Sequence, residues 1–341
     1  MIVHAKAPLR LGLAGGGTDV SPFCDVYGGN VVNVTISLFA YCTITSTEDG
    51  KIVFESTDLN ERFECPSTTH IDTSDKTCIL AKGVFNSIVK KFDIKDRLSF
   101  KLVTTSESPC GSGLGTSSTM VVCLIKAFLE YFNLKMEKYE IAKLAFEIER
   151  CDLGFKGGRQ DQYAAVFGGM NFMEFYKDRT VVNPIKVEDE ILEKLEESLV
   201  LFYVGVSRDS SKIIEEQTKA TSNEKSLEAM MAMKEQTIKM KECILNGDLE
   251  GIAKTLLANW SSKKKTASII SNPLIEEIYD YSMNNGAIAC KLSGAGGGGF
   301  LMMMTTKEKK QSLIDALTKL KKGIVHTITF EKDGCKSFKE I

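Results

Sequence analysis

Ten residues constrain this chain more than any others: Pro109-Cys110-Gly111-Ser112-Gly113-Leu114-Gly115-Thr116-Ser117-Ser118, a glycine and hydroxyl loop between two regular patterns. Before it, Leu98, Phe100 and Leu102 alternate with polar residues at the period of a half-buried strand. After it, Met120, Val121, Leu124, Ile125, Phe128 and Leu129 recur at helical spacing. The loop is therefore expected at a helix N-terminus, where unpaired N–H groups and the positive end of the helix dipole favour a phosphate, and glycines let the backbone approach it. It carries no lysine where a Walker A loop has one.

Size and charge narrow the rest. A chain of 341 residues is too long for one ordinary core and suits two domains. With 43 basic and 45 acidic residues, it shows neither a nucleic-acid footprint nor a membrane-surface patch, so small-molecule partners are expected. The ten cysteines are scattered, without a CxxC pair or a Cys/His cluster at zinc-ligand spacing, and read as buried thiols in a reducing cytosol. No apolar stretch reaches transmembrane length and no signal-peptide core precedes the first strand-like run; the expected location is cytoplasmic.

Along the chain, residues 2 to 12 and 30 to 46 read as strands, the latter through Val31, Val32, Val34, Ile36, Leu38, Phe39, Tyr41 and Ile44. Asp49-Gly50 suggests a hairpin leading into Lys51-Ile52-Val53-Phe54. Leu80, Val84, Phe85, Ile88, Val89 and Phe92 mark one amphipathic helix, and Ile141, Leu144, Ala145 and Ile148 another. A charged stretch between 176 and 198 is the expected crossing between a first domain, 1–185, and a second, 186–341. The second half opens with a buried-looking strand at 199 to 206 and continues in long helices to about 285. Strands at 287 to 292 and 300 to 305, a helix at 307 to 321 and a strand at 324 to 330 complete an α+β unit. Met230, Met231, Met233, Ile238 and Met240 read as gap-filling core, and Lys263-Lys264-Lys265 as a solvated helix face.

Two more glycine clusters accompany the loop: Pro8-Leu9-Arg10-Leu11-Gly12-Leu13-Ala14-Gly15-Gly16-Gly17-Thr18-Asp19, and Lys291-Leu292-Ser293-Gly294-Ala295-Gly296-Gly297-Gly298-Gly299. Each ends a strand-like run, where bare backbone suits close approach of a ligand or a neighbouring chain. In this order and spacing the three resemble the motifs of the GHMP small-molecule kinases, and the resemblance covers nearly the whole chain. The middle segment is similar to the family's Pro-x-x-Ser-Gly-Leu-Gly-Ser-Ser phosphate loop, with Thr116 in place of the first paired serine. The first lacks the Gly-Glu-His of galactokinases and mevalonate kinases. Lys6-Ala7-Pro8-Leu9-Arg10 and Ala14-Gly15-Gly16-Gly17-Thr18-Asp19-Val20-Ser21-Pro22 instead resemble the sugar 1-kinases that act on a heptose 7-phosphate.

Phosphoryl transfer needs an anion cradle, a magnesium site, a group facing the attacking hydroxyl and a cation near the moving phosphoryl. The cradle candidates are Gly111, Ser112, Gly113, Leu114, Gly115, Thr116, Ser117 and Ser118. Magnesium wants a few hard oxygen ligands besides waters and nucleotide phosphates; Ser117 and Glu149 fit, with Glu147 as a neighbouring rival, and the resemblance points to the same two. Asp161, in Gly157-Gly158-Arg159-Gln160-Asp161, resembles the family's catalytic aspartate, and Arg10 takes the place of the cation beside it. Asp19 matches the position where galactokinase-like members hold sugar hydroxyls, with Gly16, Gly17 and Thr18 as further substrate-binding candidates, while Gly294 and Gly296 are expected to wall the site. A sugar already bearing a phosphate needs a second anion site, for which Ser207, Arg208, Ser210 and Lys212 are candidates.

The resemblance implies an α+β, two-domain fold: a ribosomal-protein-type N-terminal domain with a left-handed crossover, and a ferredoxin-like C-terminal domain. It further implies transfer of the γ-phosphoryl group of ATP, with Mg2+, to the anomeric hydroxyl of D-glycero-D-manno-heptose 7-phosphate. Rival readings are a fucokinase-like or other hexose 1-kinase, and a nucleotide-binding regulator on the same scaffold. The expected partner is a small sugar phosphate, with at most a second copy of the chain in a homodimer, and neither nucleic acid nor membrane.

Overall fold

A computed structural model describes residues 1–205, 213–216, 218 and 223–340. Its first sheet grows around one long strand. The N-terminal alternation forms β1 (Ile2–Ala14), and the β-branched run forms β2 (Gly29–Ser46), antiparallel to it. The short helix α1 (Phe23–Tyr27) lies between them. β3 (Lys51–Ser56), β4 (Glu61–Pro66) and β5 (Phe100–Ser106) extend the sheet in the order β1-β2-β5-β3-β4. β3 pairs with β4 and with β5, so the expected hairpin between β2 and β3 does not form: β5 occupies the place beside β2. Because β3 and β5 run parallel, the chain crosses between them through β4 and α2 (Ile79–Phe92).

The turn after β5 leads into α3 (Thr116–Tyr131), the most enclosed helix of this domain. Phe100 on β5 meets Phe128 of α3 edge-on at 5.7 Å, and Phe54 and Phe85 complete the aromatic cluster. This packing fixes the line along which the α3 N-terminus points. α4 (Lys138–Glu147) closes with one turn of wider π geometry at Ile148–Asp152, then α5 (Gln160–Phe167) leads to β6 (Met170–Phe175) and β7 (Thr180–Pro184). β6 pairs with the first half of β2, and β7 with β6.

After α6 (Asp189–Ser198), β8 (Leu199–Tyr203) starts the second sheet. The helices α7 (Glu224–Leu245), α8 (Leu249–Lys264) and α9 (Pro273–Asn284) precede β9 (Ala287–Leu292) and β10 (Phe300–Thr305). α10 (Lys307–Leu320) and β11 (Ile324–His326) follow. The strand order β11-β8-β10-β9, antiparallel throughout, is the 4-1-3-2 order of a ferredoxin-like sheet. α7 lies against β1 and β2, and α8 against β1 and β9, so these two helices clasp the first domain. The last strand, β12 (Lys336–Glu340), leaves the second domain and pairs with β1, although its position in the chain groups it with the C-terminal half.

β1 is the seam between the domains. Leu9, Leu11 and Leu13 pack into a core shared with Leu201 of β8 and Phe300 of β10, while Ala5 and Ala7 belong to the first-domain core. The register of β1 shifts between Pro8 and Arg10, a bulge of the kind that re-aims a side chain.

Candidate active site

Three glycine segments far apart in the chain meet backbone to backbone. Gly113 is their junction: its carbonyl accepts from Arg10 Nη1 at 2.7 Å and from Ser293 Oγ at 3.0 Å. A Cβ on Gly113, at φ +85°, would fall 2.4 Å from the Ser293 carbonyl oxygen, and one on Gly294 2.5 Å from Gly113 Cα. Side chains at either position are incompatible with this approach. Next to them, the Phe300 N–H donates to the Ser112 carbonyl at 2.9 Å.

The middle loop closes on itself through its hydroxyls. Ser108 Oγ donates to Ser112 Oγ at 2.8 Å, and Thr116 Oγ1 lies 3.2 Å from Ser112 Oγ and 3.3 Å from the Pro109 carbonyl. Six of the eight expected cradle residues line a cavity of about 610 Å3; Ser112 and Leu114 do not, because Ser112 braces the loop and Leu114 is buried in the inter-domain core. The α3 N-terminus opens there from Gly115, with no side chain capping its N–H groups.

Arg10 and Asp161 form the centre of the cavity. Asp161 Oδ1 accepts from Arg10 Nε at 2.6 Å and lies 2.6 Å from Nη2. Arg10 is 4% exposed, so the pair is largely removed from solvent. Oδ2 carries no hydrogen bond among the described residues. A Cβ built on Gly115 would fall 3.3 Å from it, so the carboxylate stands directly over the start of α3.

Ser117 and Glu149 are also together: Ser117 Oγ donates to Glu149 Oε1 at 2.9 Å. Glu149 is buried, takes a 2.6 Å hydrogen bond from Gln162 Nε2 on its other oxygen, and has Arg150 Nη1 at 3.6 Å. Its place on the π turn after α4 turns the carboxylate toward the loop. The rival Glu147 does not line the cavity and pairs with Lys143 at 3.8 Å. A hydroxyl and one carboxylate suit a cation held mainly by phosphates and water. Among the described residues no group of three His, Cys, Asp or Glu side chains forms a protein-built metal cage.

The first glycine segment departs from expectation. Thr18 is buried outside the cavity lining, with Oγ1 accepting from the Asn30 N–H at 3.0 Å and lying within 2.9 Å of the Gly15 and Asn30 carbonyl oxygens. Asp19 borders the cavity, but its oxygens are taken. They accept from the N–H groups of Gly17, Arg159 and Gln160 at 2.9–3.0 Å and from Gln160 Nε2 at 3.2 Å. A carboxylate so engaged caps the first turn of α5 and thereby positions Asp161, and each of its oxygens already accepts two hydrogen bonds. Gly16, Gly17, Gly294 and Gly296 do line the cavity. Arg208, with Ser207, Ser210 and Lys212, lies outside the described residues.

One cavity residue escaped the sequence pattern. Lys263, expected on a solvated face, is 3% exposed and donates to the Gly294 carbonyl, while Lys264 is half-buried and Lys265 exposed. Burial, with repulsion from Arg10, lowers its pKa to about 8 against the attraction of Asp19 and Asp161. Lys291, also buried, donates to the Gly12 and Leu13 carbonyls at 3.0 and 3.2 Å and ties the second sheet to β1. No helix among the described residues is long and apolar enough to cross a membrane.

Known proteins resemble this chain in sequence and fold. The family model for the GHMP kinases N terminal domain matches residues 80–169, and that for the GHMP kinases C terminal matches 240–323. The chain is 48% identical, over 99% of both chains, to a D-glycero-alpha-D-manno-heptose 7-phosphate kinase of Campylobacter jejuni. The crystal structure of a D-glycero-D-manno-heptose 1-phosphate kinase from Bacteriodes thetaiotaomicron superposes with a TM-score of 0.85, at 40% identity and 99% coverage of each chain. The Methanococcus jannaschii mevalonate kinase shares the fold, with a TM-score of 0.78 at 23% identity over 97% of this chain and 98% of that one. Matched from end to end by the heptose 7-phosphate kinase and in both halves by the family models, the chain belongs to the GHMP kinases, phosphotransferases that act on a hydroxyl group.

Proposed function

We propose that this kinase transfers the γ-phosphoryl group of ATP to the anomeric hydroxyl of D-glycero-D-manno-heptose 7-phosphate, giving the 1,7-bisphosphate. The observation that carries the transfer is the placement of Asp161 over the uncapped N-terminus of α3, with Oδ1 held by Arg10 and Oδ2 turned to the cavity. The choice of acceptor is supported by the 48% identity to the heptose 7-phosphate kinase. The structural neighbour is named for a 1-phosphate substrate, so the two acceptors are tested against each other below.

The triphosphate lies along Gly111–Ser118, where backbone N–H groups and the α3 dipole meet its charge. Leu59, Ile79, Leu80 and Met120 line the apolar end of the cavity and suit the base. Ser117 and Glu149 are the residues that would hold Mg2+, and the ion would neutralise phosphate charge there. Asp161 Oδ2 accepts the proton of the attacking hydroxyl or orients it, and Arg10 fixes the carboxylate while facing the phosphoryl group that moves. Gly16 and Gly17 give the sugar a floor without side chains, and the second domain closes the opposite wall through Gly294 and Gly296.

Purified protein supplied with Mg-ATP should phosphorylate heptose 7-phosphate in preference to heptose 1-phosphate, fucose and galactose. Phosphorus NMR of the product should show a new anomeric phosphate beside the retained 7-phosphate. Preference for heptose 1-phosphate, or a new phosphate elsewhere on the ring, would overturn the assignment.

A further inference from the structure

Lys263 is a buried amine for which the expected chemistry has no use. It sits in the last turn of α8, at the point where all three glycine segments meet. Its ammonium donates to the Gly294 carbonyl of the third segment, and this is its one hydrogen bond among the described residues. A Cβ built on Gly16 of the first segment would lie 3.9 Å from Nζ. Among the described residues the charged groups that act on it are Arg10 from β1, Asp19 from the first segment, Asp161 from the start of α5 and Lys291 from β9. Among the described residues no carboxylate pairs with it directly, since Asp161 is engaged by Arg10 and Asp19 by the α5 N-terminus.

A buried ammonium without a carboxylate partner is expensive unless an anion arrives beside it. It lines the same cavity as Arg10 and Asp161, where the proposed phosphate chain would end. We propose that Lys263 is a catalytic residue that binds the terminal phosphoryl group of the nucleotide, supplied by the second domain to the side of that group opposite the α3 N-terminus. The loop itself lacks the lysine that other phosphate loops carry, and α8 provides one from the other side of the cleft. This rests on the kinase reading above for the identity of the anion. Because the ammonium loses its proton as pH rises through about 8, the free protein grips a triphosphate below that pH and less well above it. An anion in contact with Nζ raises the pKa and keeps the lysine charged once bound.

The test compares wild type, Lys263→Met and Lys263→Arg by calorimetric binding of a non-hydrolysable ATP analogue and of ADP, across pH 7 to 9.5, with melting curves for each variant. For Lys263→Met, affinity for the triphosphate should fall about tenfold or more while ADP affinity changes less than about twofold. Wild-type affinity for the triphosphate should weaken above about pH 8, and the arginine variant, whose charge is fixed, should show no such decline. Equal losses for ATP analogue and ADP, or no loss, would overturn the proposal. So would a loss of calorimetric affinity confined to the sugar phosphate, which would place the lysine on the acceptor's own phosphate. Should Lys263→Met not fold, the arginine variant decides by its pH dependence: a decline identical to wild type rules Lys263 out. These binding measurements need no turnover, so failure to phosphorylate any sugar would remove the acceptor assignment and leave the lysine tested separately.

Discussion

Two glycine-rich segments border the same cavity, and they are used in opposite ways. In Gly111–Ser118 the hydroxyls of Ser112 and Thr116 brace the loop from inside, leaving backbone N–H groups of the α3 start turned to the cavity. In Gly15–Asp19 the polar side chains consume their own neighbourhood: Thr18 ties the turn to Asn30, and Asp19 caps α5. One segment is an open cradle and the other a closed knot. Glycine content is the same in kind; the difference lies in whether the adjacent polar groups find partners within the protein, and on the proposed reading it decides which segment meets ligand through its N–H groups.

Variants can break or sharpen that contrast. Among variants of the two segments and their partners, the largest effect is expected at the cradle's edge, where Glu149→Gln removes the charge beside Ser117. Turnover should fall about 100-fold or more, with a raised magnesium requirement in steady-state assays and little change in melting temperature. Gly113→Ala comes next. Its Cβ meets the Ser293 carbonyl oxygen at 2.4 Å with φ at +85°, so the domains are forced apart at the loop. Stability should drop by about 2–4 kcal/mol in urea unfolding, and ATP affinity should fall with it. Asp19→Asn is milder: amide hydrogens facing the Arg159 and Gln160 donors should lower stability by about 1–3 kcal/mol and turnover about tenfold, while the sugar Michaelis constant stays near wild type. A large rise in that constant alone would return Asp19 to sugar binding. The smallest effect belongs to Thr18→Val, about 1–2 kcal/mol of stability with unchanged kinetics; a change in turnover would mean that the knot is not closed.

Much of this was legible in the sequence because it is local. The strand before Gly111, the helix after it and the glycines between them specify a helix N-terminus without reference to the rest of the chain. Arg10, Asp161, Ser117 and Glu149 were readable as chemistry, and the structure brings each into the pair expected of it. What was not legible depends on apposition. Lys263 stands in a run of three lysines whose pattern is that of a solvated face, and only the seating of α8 against β1 and β9 buries the first of them. The hairpin expected at Asp49-Gly50 has a sound turn signal, but β5, about fifty residues later, takes the place beside β2. The return of β12 to β1 and the role of Asp19 as a cap for α5 are likewise set by partners more than a hundred residues away. A single sequence carries no local mark of any of them.

On the proposed function, Asp161, held by Arg10 over the α3 N-terminus, serves the transfer step and not the binding of nucleotide. The most direct test measures Asp161→Asn in two ways on one preparation: rapid-quench phosphoryl transfer to heptose 7-phosphate, and affinity for the ATP analogue. Transfer should slow by about 10³-fold or more while the affinity stays within about threefold of wild type. A transfer rate near that of wild type, with the fold intact, would contradict the account.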